Sequence, residues 1–182
     1  LAGAVLTMLM FLAAACGGSD DVMRLGSGTP EPDPSSAAVT VGELVDRPFT
    51  TFDGRTANFA DYRGRPLVIN FFARSCTACV AEMPDFQAVF EALDDTVAFV
   101  GISNDPRRSD GETLVEQTGV TYDLGWDPQA SLVAAFGGYA MPTTVLVDAD
   151  GIIRTVRSSA LSRTSLRSMI DELLVSPEAV DS

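Results

Sequence analysis

Leu67-Val68-Ile69-Asn70-Phe71-Phe72-Ala73-Arg74-Ser75-Cys76-Thr77-Ala78-Cys79-Val80-Ala81-Glu82-Met83-Pro84 is the stretch from which the fold can be worked out. Leu67 to Phe72 is a continuous apolar run broken only by Asn70, the pattern of a strand buried on both faces. From Val80 onward apolar residues recur at helical spacing (Val80, Met83, Phe86, Val89, Phe90 and Leu93), which predicts a helix over Val80–Leu93 kinked at Pro84. Cys76 and Cys79 fall at the junction between the two.

Outward from this junction the chain alternates. Upstream, a first apolar element lies near Val39–Leu44, and Phe49–Phe52 and Arg55–Asn58 flank the Asp53-Gly54 turn signal of a hairpin. Downstream, Val97–Ile102 is a second buried strand, and Gly111–Thr118 and Gln129–Phe136 are short helices, the latter stopped by Gly137-Gly138. Thr143–Val147 and Ile152–Arg157 flank Asp148-Ala149-Asp150-Gly151 as a second hairpin, and Leu161–Leu174 is amphipathic. The sequence predicts an α/β fold: a central mixed β-sheet flanked by helices, with an N-terminal β-hairpin extension.

Composition removes whole classes of function. The 182 residues carry a net charge of -13 and contain no histidine, so His-dependent nucleophilic catalysis and His-ligated metal sites are excluded, and nucleic acid is not expected as a partner. The three cysteines, Cys16, Cys76 and Cys79, are too few for a four-cysteine zinc site. No metal and no cofactor is expected.

A Cys-x-x-Cys pair alone is compatible with half of a zinc site or with two core cysteines. Placed between a buried strand and a helix N-terminus, it points to redox chemistry, because unpaired backbone N–H groups and the helix dipole there favour the reactive thiolate. Cys76, first and more exposed, would attack a partner disulfide, and Cys79, one turn further in, would resolve the mixed disulfide.

The segment Asn70–Pro84 resembles the active-site region of TlpA/ResA-like thioredoxin-fold proteins, and Gly138-Tyr139-Ala140-Met141-Pro142-Thr143-Thr144 with Val147–Gly151 resembles the later signature of the same family. The resemblance spans about Val39 to Val175. It implies a thioredoxin-like fold, a redox disulfide between Cys76 and Cys79, and a cis Met141–Pro142 peptide packed against it, with the Met141 backbone pairing with a substrate strand. It also implies that Glu82, three residues after Cys79, handles protons near the pair. Asn70 stands where many thioredoxins have a buried Asp, so that proton-handling role does not transfer to it. Ser75 and Ala78 replace the Trp and Pro usual beside the two cysteines. Ala78 thereby keeps a backbone N–H that can point toward the Cys76 sulfur, and Arg74 can add positive potential.

Leu1–Ala15 is apolar, ends in small residues and is too short to span a bilayer, which fits a signal-peptide core. Leu12-Ala13-Ala14-Ala15-Cys16 resembles the lipobox of bacterial lipoproteins, which implies cleavage before Cys16 and its lipidation. The Gly-, Ser-, Asp- and Pro-rich residues that follow suit a disordered tether. The predicted organisation is a lipoprotein signal peptide over 1–15, a tether over 16–37, a thioredoxin-like domain over 38–176 and a C-terminal tail over 177–182.

Together these resemblances imply an enzyme, a thiol–disulfide oxidoreductase, anchored to the cell membrane outside the cytoplasm. Its partners would be protein dithiols or disulfides and a membrane redox protein, in cytochrome c maturation or oxidative folding. The competing readings are a peroxiredoxin-like thiol peroxidase, which would rely on a single peroxidatic cysteine, and a thioredoxin-like binding module without turnover.

Overall fold

The computed structural model describes residues 38–93 and 95–175. The predicted signal peptide, tether, Cys16 lipidation site and C-terminal tail lie outside the described residues. Within them, seven strands and four helices follow one another as β1 (Pro48–Thr51), β2 (Thr56–Asn58), β3 (Leu67–Phe72), α1 (Thr77–Leu93), β4 (Ala98–Ser103), α2 (Arg108–Thr118), β5 (Asp123–Trp126), α3 (Ser131–Ala135), β6 (Thr143–Val147), β7 (Ile153–Arg157) and α4 (Arg163–Val175). The strands form one mixed sheet in the order β2-β1-β5-β4-β3-β6-β7. β3 pairs parallel with β4, and β4 with β5, whereas β6 runs antiparallel to β3.

Alternation along β3 explains why the sheet needs cover on both faces. Leu67, Ile69 and Phe71 enter one apolar cluster with Phe49, Phe59 and the α3 residues Leu132 and Val133. Val68 and Phe72 enter the other, with Met83 and Phe86 of α1, Leu114 of α2 and Leu166 and Ile170 of α4. Every β3 and β4 residue is buried, as a central parallel pair requires. Asn70 lies on the α1 face, in register with Thr144 of β6 on one side and Gly101 of β4 on the other.

The predicted α/β architecture and both hairpins are present, with Gly54 at φ +84° and Gly151 at φ +86° supplying the left-handed turn positions. Helix α1 begins at Thr77, inside the Cys-x-x-Cys motif, and continues through Pro84.

Two elements differ from the sequence expectation. Residues 39–44 form no regular strand: Gly42 and Glu43 bond to Ile153 at the β7 edge, with a single bridge from Leu44 to Ile152. β5 was not anticipated, because Asp-Leu-Gly-Trp lacks an apolar run. Its Gly125 permits close packing, since a Cβ there would meet Ile102 Cδ1 and Phe49 Cδ2, each at 2.7 Å.

Candidate redox site

The parallel β3–β4 pair and the antiparallel β3–β6 pair bring three loops to the end of the sheet where β3 finishes: the β3–α1 loop with Cys76, the β4–α2 loop with Asp105, and the segment before β6 with Pro142. The Val80 N–H returns to the Cys76 carbonyl at 3.1 Å, so Cys76 occupies the cap position of α1. Its Sγ accepts from the Cys79 N–H at 3.1 Å, as the side-chain oxygen of an ordinary N-cap residue does from the third helical N–H. The donor to Cys76 is therefore the Cys79 amide, one residue beyond the Ala78 N–H suggested by the sequence.

Cys76 and Cys79 are joined by a disulfide. Cys76 is half-buried and Cys79 fully buried. The Met141–Pro142 peptide is cis. Pro142 is buried, while Tyr139 just ahead of it is 86% exposed at the rim of the same sheet end.

Glu82 lies three residues beyond Cys79, and both side chains are buried on α1. Among the described residues no cation pairs with its carboxylate. Its Oε1 accepts from Asn70 Nδ2 and its Oε2 from the Leu161 N–H, each at 2.9 Å. Burial pushes the Glu82 carboxyl up to about 7, against the two hydrogen bonds, which pull it down. A carboxyl poised near neutrality can take up or release a proton at physiological pH.

The polar floor around Glu82 continues. Asn70 Oδ1, Thr144 Oγ1 and the Tyr122 hydroxyl are buried and have no hydrogen-bond partner among the described residues. The Tyr122 phenol is held well above its ordinary range by burial and then by the Glu82 charge. Its ring lies over Gly101, where a Cβ would come within 2.9 Å of Tyr122 Cε2.

The charge of Arg74 is engaged by an acid of α2. Its guanidinium bonds Asp110 of α2 at 3.2 Å, and Asp110 also binds Arg107 at 2.9 Å, which with Arg74 holds the carboxyl below its usual range. The Arg74 backbone N–H meets both oxygens of the buried Asp105, at 3.0 and 3.1 Å. Asp105 also accepts from Ser103 Oγ at 3.0 Å, and its carbonyl from Trp126 Nε1 at 2.8 Å. Asp105, Leu161 and Tyr122 carry no local motif that would have marked them as neighbours of the site, whereas Thr144 closes the Gly138–Thr144 signature. Asn70 did carry a signal, as the single polar residue in the β3 run.

Comparison with known proteins agrees with this geometry. The family model described as AhpC/TSA family matches residues 43–156. Thiol-disulfide oxidoreductase ResA of Geobacillus thermodenitrificans is 24% identical over 138 residues, 75% of this chain and 79% of that protein. Thiol:disulfide interchange protein DsbE of Xylella fastidiosa is 32% identical over 104 residues, covering 57% of this chain and 52% of that one. The crystal structure of a secreted Mycobacterium tuberculosis disulfide oxidoreductase homologous to E. coli DsbE superposes with a TM-score of 0.62 at 25% identity, over 69% of this chain and 95% of that one.

The chain belongs to the AhpC/TSA family. Within it, this is a thioredoxin-fold disulfide oxidoreductase related to the ResA and DsbE proteins. Its Cys-x-x-Cys pair carries the redox activity.

Proposed function

We propose that the protein exchanges disulfides with protein partners outside the cytoplasm, as a TlpA-type lipoprotein held at the membrane through a lipid on Cys16. The observation that carries this reading is the Cys76–Cys79 disulfide at the start of α1, with Cys76 half-buried and Cys79 fully buried.

In the reductive direction the Cys76 thiolate attacks a partner disulfide. A Cys76–partner S–S bond forms, the partner's own S–S bond breaks, and one partner sulfur leaves as a thiolate. Cys79 then gives its proton to the Glu82 carboxylate and attacks Cys76 Sγ, which forms the Cys76–Cys79 disulfide and releases the second partner sulfur. The two electrons lost by this pair are gained by the partner's. The reverse sequence oxidises a dithiol, and the partner's potential sets which way it runs.

The Met141 backbone would pair with an extended partner segment, with Pro142 closing the site beside Cys76. Membrane attachment is supported by the resemblance of Leu12–Cys16 to a lipobox, and no described helix is long and apolar enough to cross a membrane. A surface-bound redox protein would draw on a membrane redox partner and serve cytochrome c maturation or oxidative folding.

The test is to express the full chain with Cys79→Ala in cells and isolate mixed disulfides on Cys76. Secreted or membrane thiol proteins attached to Cys76, absent when Cys76 is also replaced, are the expected result. Recovery of no protein adduct, together with rapid peroxide consumption by the purified wild type, would overturn the exchange reading in favour of a thiol peroxidase.

A further inference from the structure

The β6–β7 ladder ends at the redox edge with Thr144 opposite Arg157. One step further on each strand stand Thr143 and Ser158, and their hydroxyls lie 2.8 Å apart. Each hydroxyl has one further bond into the loop that carries Met141 and Pro142. Thr143 Oγ1 donates to the Ala140 carbonyl at 2.6 Å, and Ser158 Oγ accepts from the Tyr139 N–H at 3.3 Å.

The polarity of this chain is forced. A hydroxyl has a single proton, and a carbonyl can only accept, so the Thr143 proton is committed to Ala140. Thr143 Oγ1 therefore accepts from the Ser158 hydroxyl, and Ser158 Oγ accepts from an amide that can only donate. Three bonds run in one direction, from the Tyr139 N–H through Ser158 and Thr143 to the Ala140 carbonyl, and bonds so linked polarise one another.

This chain holds a stretch that apolar burial does not. Tyr139 is 86% exposed and Ala140 is exposed as well. The loop is held ahead of them by the Gly138 N–H on the Val133 carbonyl at 2.8 Å, and beyond them by the buried Pro142. A Cβ on Gly138 would meet Thr143 Cγ2 at 3.0 Å, so Thr143 lies against the loop with its methyl while its hydroxyl takes the Ala140 carbonyl. Ser158 is itself fixed on both sides, following β7 directly and preceding by three residues the Leu161 N–H that bonds Glu82. Among the described residues none of these bonds uses the Met141 backbone.

We infer that Ser158 is a positioning residue for partner docking, its hydroxyl fixing the Tyr139–Ala140 backbone so that Met141 is presented to an extended partner segment in one course. This rests on the reading that the Met141 backbone pairs with the partner, and it assigns the residue that prepares that pairing. A loop ordered before the partner arrives spares the complex the cost of ordering it.

The test uses the full chain carrying Cys79→Ala, with Cys76 held as a mixed disulfide to N-acetylcysteine amide. A pentapeptide blocked at both ends, with cysteine at its centre and valine on either side, is exchanged against it. The peptide thiolate attacks Cys76 Sγ, a Cys76–peptide S–S bond forms, and the N-acetylcysteine amide sulfur leaves as a thiolate. Mass analysis of the Cys76 fragment gives the exchange constant. In the Cys79→Ala parent it should favour the peptide by about tenfold, through backbone pairing with Met141. Adding Ser158→Ala should lower it about threefold or more, and Ser158→Thr, which keeps the hydroxyl, should restore it. A general disturbance of the redox site would weaken both mixed disulfides alike and leave the constant where it was. A parent constant near one overturns the Met141 pairing and the inference with it. A parent preference that survives Ser158→Ala intact overturns the inference alone, as does a Ser158→Thr constant as low as that of Ser158→Ala.

Discussion

The Leu161 backbone N–H donates to Glu82 Oε2 at 2.9 Å, tying the approach to α4 to a carboxyl on α1 that lies 79 residues earlier in the chain. This bond and the one from Asn70 reduce the penalty of burying the carboxylate but do not cancel it. The Glu82 carboxyl rises from an ordinary 4.5 to about 7 in the fold. A carboxyl that binds its proton more tightly when folded adds stability below its unfolded value and loses it as pH climbs through the folded one. The oxidised protein should therefore lose on the order of 3 kcal/mol of this contribution between pH 4.5 and about 7. Denaturant titrations across that window should show the decline, and Glu82→Gln should flatten it. A wild-type profile as flat as that of the variant would mean that Glu82 is not held protonated by burial.

The half-buried Cys76 and the sealed Cys79 make the second expectation kinetic. In the reduced protein Cys76, capping α1, should react with iodoacetamide about tenfold or more faster than Cys79 at mildly acidic pH, because a thiolate at a helix N-terminus is both stabilised and reachable. Mass mapping of partly alkylated protein checks this. Label found equally on both sulfurs, or first on Cys79, would reverse the roles of attacking and resolving thiol.

Much of this arrangement could be read along the chain, because it is local. A strand, a cysteine pair and a helix follow one another between Leu67 and Leu93, and each leaves its own periodicity in the sequence. What could not be read is what the sheet brings together from afar. Whether Asn70 faced the α1 side or the α3 side depended on register, and the hydrogen bond to Glu82 depended on it too. The Leu161 N–H is a backbone group with no residue signature at all. β5 escaped because it is four residues long and is held by its neighbours β1 and β4 more than by its own apolar content. Asp105 carries no sequence signal of its burial against the Arg74 backbone, which only the fold brings about.

Asp105 leads to the third prediction. Its carboxylate accepts from the Arg74 N–H and from Ser103 Oγ together. Asp105→Ala should destabilise the protein by about 1–3 kcal/mol through these unmet buried donors. Asp105→Asn, which keeps one acceptor oxygen, should lose less. The single tryptophan, Trp126, bonds the Asp105 carbonyl, so its fluorescence reports both the local change and global unfolding. Equal stability of Asp105→Ala and wild type would show that the β3–α1 loop does not depend on this clamp.

Redox poise provides the last prediction, and it turns on which amide faces the sulfur. Cys76 caps α1, and its Sγ accepts from the Cys79 N–H at 3.1 Å, the third helical amide. Ala78 is the second helical residue, where a backbone N–H has no partner within the helix and proline is tolerated. Ala78→Pro should therefore fold normally and keep the observed donor. A neutral hydrogen bond to a thiolate of about 1.4 kcal/mol corresponds to about 30 mV in the potential of a two-electron couple. The Ala78→Pro potential should stay within about 30 mV of wild type, and the Cys76 pKa should hold with it. Both are measured by equilibration with glutathione and by thiolate absorbance. If instead the potential falls by more than this and the Cys76 pKa rises, the Ala78 N–H stabilises the thiolate in the reduced protein, and the single-donor geometry of the disulfide form does not carry over to the form that attacks.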